Sequence, residues 1–280
     1  MRTSWGSATD RGLVRDVNED ALLAFPPVFL VADGMGGHDA GEVASRVAVE
    51  EFAALAGRAG LTADDVHGCF GRTAERLRIE LGRSGGTTVV GAALTEDDGG
   101  AYWLVFNVGD SRAYRFADGR LYQVSVDHSV VQELIDEGDL APDAAQTHPE
   151  RHILTRALGA GAAPEPDYWL LPVGPQDRLL LCTDGLTREL DDADIAQVLA
   201  QVADPQRAAD ALVERAVERG ARDNVTAVVV DAQPVVARHA APRPAVPQQS
   251  PALEQDGWDE VLHGSTVPRG GGPAPFEGSP

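Results

Sequence analysis

The sequence predicts an α+β domain on antiparallel sheets across residues 1–232. Three observations predict it. Short β-rich apolar runs recur along the chain, turn signals such as "TEDDGG" and "FADGR" separate several of them, and helical patterns are grouped rather than alternating strictly with strands.

The apolar runs are "VFLVAD", "TTVVGAAL", "AYWLVFNVGD", "SRAYRF", "YWLLPV", "DRLLLCTD" and "DNVTAVVVD". The segment 101–124 reads as a meander of three strands, turning at Gly109-Asp110 and again at Asp118-Gly119. Helical patterns stand at about 41–57, 64–81, 129–137, 192–202 and 206–219. In the first, Val43, Val47 and Leu55 fall near one face, and Asp39 with Glu42 matches a capping box. There is no internal repeat.

Composition narrows the function. The chain has 280 residues and a formal net charge of -21, which disfavours nucleic acid or an anionic membrane as partner, because phosphate-rich surfaces call for a basic face. All 23 basic residues are arginine. Without lysine there is no Walker-type phosphate loop, no kinase strand lysine and no Schiff-base amine. Cys69 and Cys182 lie far apart, without CxxC spacing, and read as buried free thiols. The N-terminus lacks a signal-peptide apolar core and no run approaches a membrane span, so a cytoplasmic protein is expected. Nine of the 18 prolines fall between Pro234 and Pro280. Residues 233–280 therefore read as a Pro/Gly-rich disordered tail, with a short apolar element around Trp258.

Acidic residues recur at strand ends. Asp33, Asp110 and Asp184 follow apolar runs, while Asp20 and Asp223 precede them. In an antiparallel sheet the end of one strand lies beside the start of its neighbour, so such residues share one edge. Clustered carboxylates stay ionised together only when cations compensate them. Oxygen donors suit hard ions such as Mg²⁺ or Mn²⁺. Gly34, Gly36 and Gly37 permit positive φ and let the backbone approach an ion. Two ions about 3.5–4 Å apart would activate a water for in-line attack at phosphorus. A lone Asp-Gly is ordinarily a turn. Two such signals after long apolar runs, together with "VGDSR" and "RDN", favour a site.

Eight ordered segments carry a resemblance: "DRGLVRDVNEDA", "VADGMGGHDAGEVAS", "GGTTVVGAAL", "NVGDSRAYR", "DHS", "HPERHILTRALG", "LLLCTDGLTREL" and "ARDNVTAVVV". The chain resembles the bacterial metal-dependent serine/threonine protein phosphatases of the PPM type, also called type 2C, over residues 5–232. The resemblance implies a four-layer αββα sandwich, two antiparallel sheets flanked by helix pairs. It implies Asp33, Asp184 and Asp223 as core ligands of two Mn²⁺ or Mg²⁺ ions, with Asp33 bridging and Gly34 offering its carbonyl. Asp20 matches a further carboxylate of the centre, and Asp110 with Asp184 matches a third-metal site. Arg15 matches the substrate-phosphate arginine, its planar fork suited to phosphate oxygens.

His38 has two readings that spacing does not separate: protonation of the leaving serine oxygen, or a supporting and capping role. The segment from about Asp136 to His152 matches the flap beside the active site, and His148 and His152 read as flap surface. The partners implied are phosphorylated Ser/Thr proteins and a cognate Ser/Thr kinase, with the enzyme a monomer. Two other classes stay open: a binding module recruiting partners through the tail, and a hydrolase of small phosphate esters.

Overall fold

The computed structural model describes residues 1–233, apart from 38, 98, 99, 162–164, 175 and 176. His38 and the tail with its Trp258 element lie outside the described residues.

Among the described residues eleven strands form two sheets, and every pairing is antiparallel. One sheet contains β1 (Arg2–Asp10), β7 (Arg112–Ala117), β8 (Arg120–Gln123), β10 (Asp177–Cys182) and β11 (Val225–Gln233), in the order β1-β11-β10-β7-β8. The other contains β2 (Asp20–Phe25), β3 (Val28–Gly36), β5 (Val89–Asp97), β6 (Gly100–Val108) and β9 (Asp167–Pro172), in the order β2-β3-β5-β6-β9, with the short β4 (Gly85–Thr87) paired to β3. Helices α1 (Ala40–Ala53) and α2 (Ala63–Glu80) cover the second sheet. The first sheet carries the short α4 (Asp184–Thr187), α5 (Asp192–Gln201) and α6 (Pro205–Glu218). A further helix, α3 (Val130–Asp136), precedes a 3₁₀ turn at Pro142–Thr147.

The strand sequences explain the layering. Central strands such as "LLLC" are apolar at successive positions because both faces are buried. Leu179 and Leu181 point between the sheets, against Phe29, Val31 and Trp103. Leu180 and Cys182 point the other way, toward Ile195 and Leu212 of the helices. On the opposite side Phe52 of α1 stacks on Phe106 of β6, with ring centroids 5.3 Å apart. Both cysteines are free and buried, as expected.

Two expectations fail. The segment 101–124 is not one meander: β6 and β7 belong to different sheets, and only β7–β8 is a hairpin. The Gly109-Asp110 turn carries the chain from one sheet to the other, with Gly109 at φ 113°. Local turn chemistry cannot separate a hairpin from such a crossing. Asp39 precedes α1 but its side chain makes no cap hydrogen bond. The capping box lies at α2 instead, where Thr62 and Asp65 satisfy each other's backbone N–H.

Candidate metal centre

Asp20 opens β2 and pairs directly with Asp33 across the ladder. Asp33 sits where β3 changes partner: Val28–Val31 pair with β5, and Gly34–Gly36 pair with β4. Its backbone is pinned at this switch. The Asp33 N–H donates to Thr88 Oγ1 at 3.0 Å, and its carbonyl accepts from Thr87 Oγ1 at 2.9 Å and the Thr88 N–H at 2.9 Å. Thr88 Oγ1 also pairs with Ser111 Oγ at 2.8 Å, tying β3 to the turn that carries Asp110.

In the other sheet the register brings the remaining acids to the same end. Cys182 at the end of β10 lies opposite Ala227 near the start of β11 and opposite Arg112 at the start of β7. Asp184, Asp223 and Asp110 lie just beyond these three positions. The sheets meet through Asp20, whose Oδ2 accepts from Thr183 Oγ1 at 2.9 Å and Thr226 Oγ1 at 2.7 Å.

Gly34 is required by close approach, not by φ. A Cβ there would come within 2.2 Å of the Gly41 carbonyl oxygen and 2.6 Å of the Glu19 carbonyl oxygen. Of the three glycines that permit positive φ, Gly36 uses it, at 153°.

Asn224 holds the segment that carries Arg15. Its Oδ1 accepts from the Glu19 N–H at 2.8 Å, and its Nδ2 donates to the Arg11 carbonyl at 2.9 Å and the Val17 carbonyl at 3.0 Å. Arg15, half-exposed, grips Asp223 with Nε to Oδ1 at 2.8 Å and Nη2 to Oδ2 at 3.0 Å. Arg188 lies between two acids: it pairs with Asp184 Oδ2 and donates from Nη1 to Asp223 Oδ2 at 2.7 Å. The acids and arginines open onto a cleft of about 600 Å³ that Arg151 and His152 also line. An adjoining recess reaches Asp33 and Gly34. His152 is thus exposed and turned to the cleft, and neither it nor His148 is helical.

The electrostatics are those of crowded anions. Burial, then Asp20, Asp184, Asp110 and Asp223, push the Asp33 carboxyl well above its usual range. Burial also raises Asp20, Asp110 and Asp184. Asp223 goes the other way: its burial is outweighed by Arg15 and Arg188, and its carboxyl is lowered.

Among the described residues, no three His, Cys, Asp or Glu side chains are already closed into a ligand cage. Arginines stand among the acids instead. Two buried carboxylate oxygens among them nevertheless have no hydrogen-bond partner: Asp20 Oδ1 and Asp184 Oδ1. In both residues the second oxygen is held by protein groups while the first is left open. Open anionic oxygens among carboxylates that repel one another fit hard divalent cations.

The structure brings together Arg15, Asp33, Gly34, Asp110, Asp184 and Asp223 around the cleft and its recess, with Asp20 behind them as the ladder partner of Asp33; His38 lies outside the described residues. Sequence reasoning missed Thr88, Thr183, Asn224, Thr226 and Arg188. Arg188 had a legible signal, since it stands four residues after Asp184 at a helical start.

The family model described as "Protein phosphatase 2C" matches residues 15–218. The chain is 35% identical over 244 residues to the serine/threonine phosphatase stp of Listeria innocua, covering 80% of this chain and 93% of that protein. It superposes on the crystal structure of the Mycobacterium tuberculosis serine/threonine phosphatase PstP/Ppp with a TM-score of 0.78 and 33% identity, covering 83% of this chain and 99% of that one. The PstP catalytic domain in complex with two manganese ions gives a TM-score of 0.75 at 32% identity, with 83% and 99% of the two chains covered. The paired antiparallel sheets and the helices outside them are thus shared with these enzymes, and the chain belongs to the protein phosphatase 2C family.

Proposed function

We propose that this protein is a metal-dependent serine/threonine protein phosphatase, hydrolysing phosphoserine and phosphothreonine in proteins and so reversing Ser/Thr kinase signalling. The observation that carries this reading is the pair of buried, unpartnered carboxylate oxygens on Asp20 and Asp184, the latter lining the same cleft as the Arg15 fork.

Asp33, Asp184, Asp223 and the Gly34 carbonyl are the groups that would hold two Mn²⁺ or Mg²⁺ ions, with Asp20 completing the set. When bound, such ions supply Lewis acidity, polarising the phosphoryl group and acidifying water.

The chain's own residues do the rest. Thr183 and Thr226 favour the ionised form of Asp20 and fix which oxygen stays open. Asn224 sets the path of the Arg15 segment. Arg15 exchanges its bidentate hold on Asp223 for the phosphate, whose oxygens match the same fork. His38 is the candidate donor of a proton to the leaving oxygen. In this reading the protein is a cytoplasmic monomer acting on phosphoproteins made by a Ser/Thr kinase.

Phosphate release from a phosphothreonine peptide tests the proposal. Activity is expected with Mn²⁺, is lost in EDTA, returns on re-addition of metal, and is absent in the Asp33→Ala/Asp184→Ala double variant. Full activity in EDTA overturns it. A higher kcat/KM for small phosphate esters than for phosphopeptides would move the substrate class away from proteins.

A further inference from the structure

His128 is a buried histidine with no part in the chemistry above; the residue is 4% exposed. It lies between β8 and α3. Asp127 before it is held by Arg112, Nη2 to Oδ2 at 2.7 Å, and Ser129 after it caps α3.

Both ring nitrogens are committed. Nδ1 accepts from the Gly109 N–H at 3.1 Å. A nitrogen that accepts carries no proton, so the ring proton is on Nε2, which donates to Asp167 Oδ2 at 3.0 Å. His128 is thus a neutral imidazole in one tautomer. A second proton, on Nδ1, would set two donors head to head. Burial agrees, pushing the imidazole pKa below its ordinary value against the pull of Asp167.

The backbone closes the same contact. The His128 N–H donates to the Gly109 carbonyl at 2.9 Å, which also accepts from Asn107 Nδ2 at 3.0 Å. The His128 carbonyl accepts from the Thr155 N–H at 2.9 Å, and the Val130 N–H donates to the Ile153 carbonyl at 2.9 Å. Gly109 is therefore held at both its N–H and its C=O. The residue that holds it is braced by the segment following Arg151 and His152.

Asp110 needs such a hold. Burial, Asp184 and Asp127 all disfavour its charge, so repulsion drives the carboxylate away from the centre. On one side of Asp110, Ser111 is tied to Thr88, which also holds Asp33. On the other side is Gly109, at φ 113°, where a Cβ would lie 2.5 Å from Thr88 Cγ2.

We infer that His128 is a positioning residue for Asp110: its neutral imidazole ties the Gly109 N–H to Asp167 and so fixes the turn that brings the Asp110 carboxylate to the metal centre. This rests on the metal-centre reading above, with Asp110 among the carboxylates of the centre.

The test uses the full chain. In the metal-free wild type, nitrogen-15 NMR of the imidazole should show the Nε2–H tautomer, and the Gly109 amide should be protected from exchange. An Nδ1–H tautomer overturns the inference and needs no variant. Two substitutions then separate the ring nitrogens: His128→Asn keeps an acceptor near the Nδ1 position, and His128→Gln keeps a donor near the Nε2 position. Gly109 exchange should quicken in His128→Gln and stay slow in His128→Asn. In calorimetric titration with Mn²⁺, Asp110→Asn marks the binding step that depends on Asp110. His128→Gln should weaken that step by about 10-fold, and His128→Asn should restore most of it. Asp110→Asn/His128→Gln should bind no more weakly than Asp110→Asn alone, because one residue acts through the other. Additive losses in the double variant, an Asn variant no better than Gln, or an Asp110→Asn protein that weakens no step overturn the inference. No Mn²⁺ uptake by the wild type overturns the metal-centre reading and the inference with it, a result distinct from the others.

Discussion

Asp20 and Asp33 are direct partners across the β2–β3 ladder, so two half-buried acidic residues stand side by side at one end of the sheet. Without cations this pair opposes folding whenever both are charged. Burial and neighbouring carboxylates raise Asp20 to about 7, Asp110 to about 8 and Asp184 to about 6. A raised folded-state pKa means that the native state binds protons the unfolded chain does not. That stability is fully present below the unfolded value near pH ~4 and is lost as pH rises through the folded values. In chelator, calorimetry should therefore show Tm falling between about pH 5 and pH 8.5, by on the order of 5 °C. With Mn²⁺ the trend should reverse, because metal binding needs deprotonated ligands. Saturating Mn²⁺ at a hundred times its Kd adds about 2.7 kcal/mol. A Tm in chelator that rises through this window would contradict the crowded-anion account.

Thr226 donates to Asp20 Oδ2 and also pairs with Thr9 Oγ1 at 2.8 Å. Thr226→Val keeps the shape and removes the donor. The Asp20 carboxylate then loses a bond that favours its charged form. Mn²⁺ affinity should weaken by about 10-fold, as is usual when a group orienting a ligand is removed. Calorimetric titration measures this directly, and an unchanged Kd would show that Asp20 does not depend on Thr226.

Arg15 and Asp223 form a doubly contacted pair, but the arginine side chain is 50% exposed. Such a pair contributes only about 0–1 kcal/mol to stability. Arg15→Lys should therefore leave Tm nearly unchanged. Lysine keeps the charge and loses the fork, so KM for a phosphopeptide should rise by about 10- to 100-fold, the value of a lost charged hydrogen bond. If Tm falls steeply while KM holds, Arg15 is a structural residue.

Much of this site was legible in the chain because its acidic residues sit at strand boundaries. Asp20 and Asp33 fall where an apolar run begins and where one ends, and antiparallel pairing brings such positions together. The helices were legible for a similar reason: α2, α5 and α6 each start and stop within about two residues of their expected limits. What escaped were facts of tertiary neighbourhood. Nothing near Gly109 reveals that the next strand joins the other sheet. Thr183 and Thr226 look like ordinary strand-flanking threonines until Asp20 arrives from the opposite sheet. Asp39 has the residue type of a cap, but its backbone, at φ -84° and ψ 7°, is not in the extended conformation that caps require.

Gly34 and Gly37 differ sharply in surroundings although both belong to the "DGMGG" run. A Cβ at Gly34 would strike the Gly41 and Glu19 carbonyls, while at Gly37 it meets nothing within 4 Å. Gly34→Ala should cost about 3 kcal/mol or more, since backbone must move. Gly37→Ala should leave stability within about 0.5 kcal/mol. Urea unfolding of the two variants makes the comparison, and equal losses would mean that the run tolerates or rejects side chains as a whole.

Asn224 satisfies three backbone groups of the segment that carries Arg15: the Arg11 and Val17 carbonyls and the Glu19 N–H. Its own side chain is buried, so water cannot simply replace it. Asn224→Ala leaves those groups unpaired, at a cost of about 1–3 kcal/mol. Asn224→Asp keeps the acceptor for Glu19 but sets a carboxylate against two carbonyl oxygens, so it should be the worse of the two. Amide exchange should quicken across residues 11–19 in both variants, while the Leu179–Leu181 core strand keeps its protection. The kcat/KM for a phosphopeptide should fall with the loosening, because Arg15 is then no longer held over the cleft. If exchange quickens evenly over the whole domain, Asn224 supports the fold at large, and its link to the segment that carries Arg15 fails.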